Sequence, residues 1–130
     1  MIGLDTNVII RYLTQDDKTQ SGKANKLIET TLSETQPGFI SLISLVEVVW
    51  VLESCYDQSK QNILDTVQAL LTTRQLLIEN AEAAYQALKR FSAGNGDFSD
   101  ALIAVISEQH GCESIKTFDK KAASFGMTLL

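Results

Sequence analysis

Apolar positions in this chain alternate between short continuous runs and helical spacing. Ile2-Gly3-Leu4-Asp5 reads as a short buried strand, and from Asn7 to Leu13 the residues Val8, Ile9, Tyr12 and Leu13 fall on or near one helical face. Asp5-Thr6-Asn7 is therefore a strand-to-helix turn. A second helix is expected from Ser21 to Leu32, broken by Gln36-Pro37-Gly38. Phe39-Ile40-Ser41 reads as a strand, and Ser44 to Cys55, apolar nearly all round, as a buried helix. Amphipathic helices at Ser59 to Thr72 and Ala81 to Phe91 flank a strand at Gln75 to Ile78. Ser92-Ala93-Gly94-Asn95-Gly96 is the most flexible segment by composition. Asp97 or Ser99 caps a helix running to about His110, with Gly111 following its end. Ser114 to Phe118 (strand), Lys120 to Ser124 (short helix) and Met127 to Leu130 (strand) complete the chain.

Strands that alternate with helices need crossover connections, so the expected class is α/β with a mostly parallel central sheet. Asp5 and Asp119 both fall just past the carboxyl ends of their strands, the edge where open parallel sheets bind ligands. Glu47 and Asp100 lie in early turns of helices that follow loops and are expected to reach the same crevice.

Length and composition narrow the class without naming a chemistry. A chain of 130 residues, 45% hydrophobic and 21% charged, suits a single domain over 1–130 with one core and argues against disorder. The longest near-apolar stretch, Phe39 to Leu52, is interrupted by Ser41, Ser44 and Glu47 and is shorter than the roughly 20 apolar residues a membrane span takes. No secretory pattern opens the chain, so a cytoplasmic location is expected, with Cys55 and Cys112 reduced and buried. A formal charge of −5 weakens any broad electrostatic attraction to nucleic acid. A nucleic-acid enzyme then needs metal ions at its site and a few cations at its rim.

Four acidic residues stand out, and each has a structural alternative. Asp5 and Asp119 could cap the helices that follow them. Glu47 could complete a capping box with Ser44, although its neighbours Leu45, Val46, Val48, Val49 and Trp50 imply a buried carboxylate in need of a cation or donors. Asp97-Phe-Ser-Asp100 has the offset of an N-cap and an acid one turn on. The reading assigns Asp97 to the cap and Asp100 to metal binding, with the reverse left open. Together Asp5, Glu47, Asp100 and Asp119 look like one divalent-metal site, because hard cations such as Mg²⁺ take oxygen ligands. Thr117 is a hydrogen-bonding aid to Asp119, while Arg11 and Lys120 read either as solvated charge or as phosphate contacts.

The segments bearing these acids resemble one family. Met-Ile-Gly-Leu-Asp5-Thr6-Asn7-Val-Ile-Ile-Arg11 resembles the opening of PIN-domain nucleases, more narrowly of VapC-type toxins. Ile43-Ser44-Leu-Val-Glu47-Val-Val-Trp50 is similar to their second acidic motif, Asp97-Phe-Ser-Asp100-Ala-Leu-Ile-Ala to the third, and Thr117-Phe-Asp119 to the fourth. The four occur in family order across nearly the whole chain. The resemblance implies a three-layer α/β/α PIN fold and an endoribonuclease dependent on Mg²⁺ or Mn²⁺, with RNA phosphodiester bonds hydrolysed by a metal-activated water. It implies catalytic and metal-binding roles for Asp5, Glu47, Asp100 and Asp119, supported by Thr6, Asn7, Asp97 and Thr117. The implied partners are RNA and a VapB-like antitoxin. A homodimer is expected from the apolar helices Ser44 to Cys55 and Ser59 to Thr72. The rival from another class is an inactive PIN module that scaffolds a protein complex.

Overall fold

No strand of this protein exceeds three residues, so its packing is carried mainly by helices. The computed structural model describes all residues, Met1–Leu130. They divide into two compact units, Met1–Glu79 and Asn80–Leu130.

In the first unit, strands β1 (Ile2–Gly3), β2 (Gly38–Ile40) and β3 (Leu76–Ile78) form a parallel sheet in that order. Ile2 and Gly38 are partners, as are Gly38 and Leu76. The central position is closely packed around a glycine. A Cβ on Gly38 would stand 2.6 Å from Leu32 Cδ1 and 2.9 Å from Leu4 Cδ1, the side chains that close over the strand. Helices α1 (Thr6–Thr14) and α2 (Lys18–Lys26) connect β1 to β2, and α2 runs on into a π-helical turn, Leu27–Thr31. That wider turn is closed by Leu32 N–H on the Leu27 carbonyl at 2.9 Å. It places Ile28 and Leu32 in the core together.

Helix α3 (Leu42–Ser54) starts earlier than Ser44, because Ser41 is its cap and accepts the Ser44 N–H at 3.1 Å. The core takes Leu45, Val48, Val49 and Leu52, each contributing about 1.5–3 kcal/mol when fully buried. Ile43 and Trp50, 75% and 63% exposed, lie on the opposite stripe with Glu47 between them. Helix α4 (Lys60–Thr72), capped by Ser59, buries Ile63, Val67 and Leu70 and leaves Leu64 and Leu71 half-buried, so it shows no open apolar face.

The second unit pairs α5 (Ala81–Ala93) with α6 (Phe98–Gln109). Ala83, Ala84 and Ala87 are fully buried, and such small side chains let two helices approach closely. Phe91 and Phe98 meet edge to face with ring centres 6.0 Å apart. Arg90 and Glu108 tie the two helices with a 2.5 Å ion pair. After α6, β4 (Lys116–Thr117) pairs in parallel with β5 (Thr128–Leu129) around a 3-10 helix, Lys120–Phe125. The parallel strand–helix alternation is the expected α/β class and is consistent with a three-layer α/β/α fold, with the pairing shared between two sheets.

Two sequence expectations need correcting here. The Gly94-Asn95-Gly96 segment is packed, not loose: a Cβ on Gly94 would lie 2.5 Å from the buried Phe125 ring, and Gly96 is itself buried. Cys55 and Cys112 are free thiols as expected, but both are exposed, since each falls beyond the last buried turn of its helix. No helix is long and apolar enough to cross a membrane.

Candidate functional site

Asp5 occupies the N-cap position of α1 with extended backbone, yet its carboxylate accepts no capping hydrogen bond. The capping alternative for Asp5 is thus not realised, and both oxygens remain available. Thr6, the next residue, is buried, and its hydroxyl donates to Glu47 Oε1 at 2.8 Å. That bond ties Glu47 to the turn carrying Asp5. Neither Thr6 nor Asn7 bonds to the Asp5 carboxylate, so the support that Thr6 gives goes to Glu47.

The expected burial of Glu47 does not occur. Its side chain is exposed, because α3 turns the 43-47-50 stripe outward. The capping-box alternative also fails, since the cap is Ser41 and Glu47 lies a turn too far along. With neither burial nor capping to explain it, Glu47 is an exposed carboxylate steadied by one buried hydroxyl.

Asp97, Asp100 and Asp119 belong to the second unit. Asp97 stands at the N-cap of α6 and, like Asp5, makes no side-chain cap bond. Asp100, in the first turn, is half-buried. Its pKa is raised, first by burial and then by the negative charges of Asp97 and Asp119, which outweigh the lowering influence of the Asp97 backbone. Asp119 does cap, taking the Lys121 N–H at 2.9 Å on Oδ1, and its own N–H donates to Thr117 Oγ1 at 3.0 Å. Thr117 therefore fixes the turn from which Asp119 projects. Lys120 is exposed beside it.

Arg11 is not a free cation. Its Nε donates to Gln20 Oε1 at 2.7 Å, and Nη1 reaches Tyr56 at 3.2 Å and Asp16 at 3.3 Å. Sequence reasoning could not see this tie, because Tyr56 comes from a distant segment. Next to it, α1 and α2 leave a cleft of about 320 Å³ lined by Val8, Ala24 and Leu27 together with Asn7, Arg11, Gln20 and Lys23. Phe118, expected as the last residue of a strand, lies past the end of β4 and is 83% exposed.

The chemistry of these donors suits a hard cation, being all oxygen, negatively charged and unpaired with any lysine or arginine. Nowhere do three or more His, Cys, Asp or Glu side chains converge closely enough to hold a metal ion by themselves.

A sequence model of the PIN domain matches residues 2–126. The chain belongs to the PIN-domain family. All four acidic segments of this PIN domain lie inside the match, which spans both compact units. The chain is also similar to a protein named VapC ribonuclease from Aquifex aeolicus (strain VF5), 23% identical over 124 residues, covering 95% of this chain and 90% of that one.

Proposed function

We propose that residues 1–130 act as a single PIN domain with the activity of a metal-dependent endoribonuclease, and that the protein is the VapC-like toxin of a type II toxin–antitoxin pair. One observation carries this reading. Asp5, Glu47, Asp97, Asp100 and Asp119 take part in no ion pair, and all three arginines are held by other acids. That leaves these carboxylates available to a cation from outside. The likeness to a VapC ribonuclease supports RNA as substrate.

In this reading Asp5, Glu47, Asp100 and Asp119 hold Mg²⁺ or Mn²⁺, with Asp97 as support or alternate ligand. Held by these residues, the ion would supply positive charge for a scissile phosphate and would lower the pKa of a water. Thr6 fixes one oxygen of Glu47 and leaves the other free to bind. Thr117 and the Lys121 N–H hold Asp119 in one orientation. Such supporting bonds at metal sites are worth about 10- to 100-fold in affinity or activity. Lys120 is assigned to RNA, and Arg11 to holding α1 in place. The partners in this reading are a VapB-like antitoxin, which covers the acids with a basic side chain, and a second copy of the chain meeting the exposed Ile43–Trp50 stripe. The location is cytoplasmic.

The test is cleavage of a structured RNA by purified protein in Mn²⁺, with EDTA as control. Cleavage that stops with EDTA and in a folded Asp5→Asn variant supports the reading. A folded wild-type protein that binds Mn²⁺ and cleaves nothing would instead favour the inactive scaffold. Growth arrest on expression without an antitoxin, relieved by Asp5→Asn, tests the toxin role separately.

A further inference from the structure

Phe118 is the most exposed large hydrophobic side chain in the protein, at 83%. Nothing in the fold uses its ring, although burying a phenylalanine side chain is favourable. Its backbone is nevertheless held tightly. The Asp119 N–H closes on the Thr117 hydroxyl at 3.0 Å, Leu130 N–H bonds the Thr117 carbonyl at 2.9 Å, and Asp119 caps the following helix. The ring is thus presented to solvent from a fixed turn beside a candidate metal ligand. The surrounding charge is equally uneven. Residues 114–130 carry Lys116, Lys120 and Lys121 against one acid, Asp119, in a chain whose formal charge is −5. All three lysines are exposed and none is in an ion pair, whereas every arginine is.

An exposed aromatic among free cations, next to a carboxylate assigned to phosphate chemistry, fits a single-stranded nucleic acid. Aromatic faces stack unpaired bases, and lysines neutralise the phosphates on either side. From this arrangement we infer that Phe118 is a stacking platform for one unpaired base of the RNA, with Lys116, Lys120 and Lys121 holding the flanking phosphates. The inference rests on the RNA reading above and adds the residue that positions the strand. Stacking accepts any base, so Phe118 sets where the strand lies and that it is unpaired, leaving sequence choice to other contacts. Leu130, 76% exposed beside this turn, widens the apolar surface.

The experiment measures affinity by fluorescence anisotropy in EDTA, where no cleavage occurs, on the full chain. The probes are an end-labelled oligoribonucleotide of about twelve nucleotides and an abasic ribose-phosphate strand of equal length. Phe118→Ala is expected to weaken the base-bearing strand about fivefold or more and leave the abasic strand unchanged. Phe118→Trp restores binding, and Lys120→Ala weakens both strands with a shallower salt dependence. Because the ring is exposed, truncation leaves the fold intact. Equal affinities for wild type and Phe118→Ala overturn the platform, as does an equal loss on both strands. So does unchanged RNA affinity with altered light scattering, which would make Phe118 a protein contact. Base-dependent binding without cleavage in Mn²⁺ would keep the platform and remove the nuclease reading; cleavage with a Phe118→Ala affinity equal to wild type would do the reverse.

Discussion

The buried hydroxyl of Thr6 donates to the exposed carboxylate of Glu47 at 2.8 Å, joining the first turn of α1 to the middle of α3. The asymmetry of burial decides what the bond is for. If it is removed, Glu47 is free to hydrate, so little stability is lost, but the carboxylate no longer has a fixed direction.

Thr6→Val, which keeps the shape, is therefore expected to cost under about 1 kcal/mol in denaturant unfolding. Mn²⁺ affinity and RNA cleavage should fall by about tenfold or more, and Thr6→Ser should recover both. A variant with full Mn²⁺ affinity would show that Glu47 needs no positioning.

Asp100 should make the metal-free protein less stable as pH rises. Its carboxyl is pushed above the ordinary 3.8 by burial and by Asp97 and Asp119, so between that value and its folded pKa the native state binds more protons than the unfolded chain. Stability falls across that window and stays lower at neutral pH. Asp100→Asn should accordingly raise Tm at pH 7 in EDTA, and the gain should vanish below the ordinary aspartate range, where the wild-type group is protonated in both states. Mn²⁺ should raise the Tm of wild type more than that of the variant. A lower Tm for the variant at pH 7 would contradict this account.

Gly96 has no room for a side chain. An added Cβ would be 3.1 Å from the Lys121 carbonyl and would run into the Phe125 ring. Gly96→Ala is expected to destabilise by about 1–3 kcal/mol, the usual cost of overpacking. Phe125→Leu in the same chain should return part of that loss, giving a non-zero coupling in a double-mutant cycle. Additive losses would mean that the ring is not the obstacle.

Trp50 and Ile43 leave an apolar stripe open on α3, and contiguous patches of that kind usually meet another chain. In the proposed two-fold dimer the stripe meets itself. Light scattering at micromolar concentration should give a dimer for Asp5→Asn and a monomer for Asp5→Asn with Trp50→Glu, with matching circular dichroism spectra showing that both are folded. A wild-type monomer at that concentration would remove the dimer.

The element order was legible because the helices carried a readable apolar period and breakers separated them, although the second helix starts at Lys18, ahead of the expected Ser21. Ser59, Asn80 and Asp97 stand where their helices begin, and Gly111 (φ +83) follows α6. What local pattern could not supply was direction and distance. A helix apolar nearly all round does not say which side faces out, so Glu47 read as buried. Two serines three residues apart made the start of α3 ambiguous, and the earlier one, Ser41, is the cap. Composition marked Gly94–Gly96 as loose because the ring that fills its missing side chains arrives almost thirty residues later. The acidic motifs were recognisable as a set, and the structure adds that Asp5 and Asp97 spend nothing on capping.

The register of the first sheet has a consequence for synthesis. Ile2 pairs with Gly38 and Gly38 with Leu76, so every strand contact of that unit closes within Met1–Glu79. Translation at roughly 5–20 residues per second leaves seconds between completing this unit and finishing the chain, while mixed α/β domains fold in milliseconds to seconds. The Thr6–Glu47 bond is thus expected to form on the ribosome, which protease protection of chains stalled far enough past Glu79 for that unit to have emerged would reveal. Asp97, Asp100 and Asp119 emerge later, and until then a nascent chain displays only the Asp5 and Glu47 half of its acidic set.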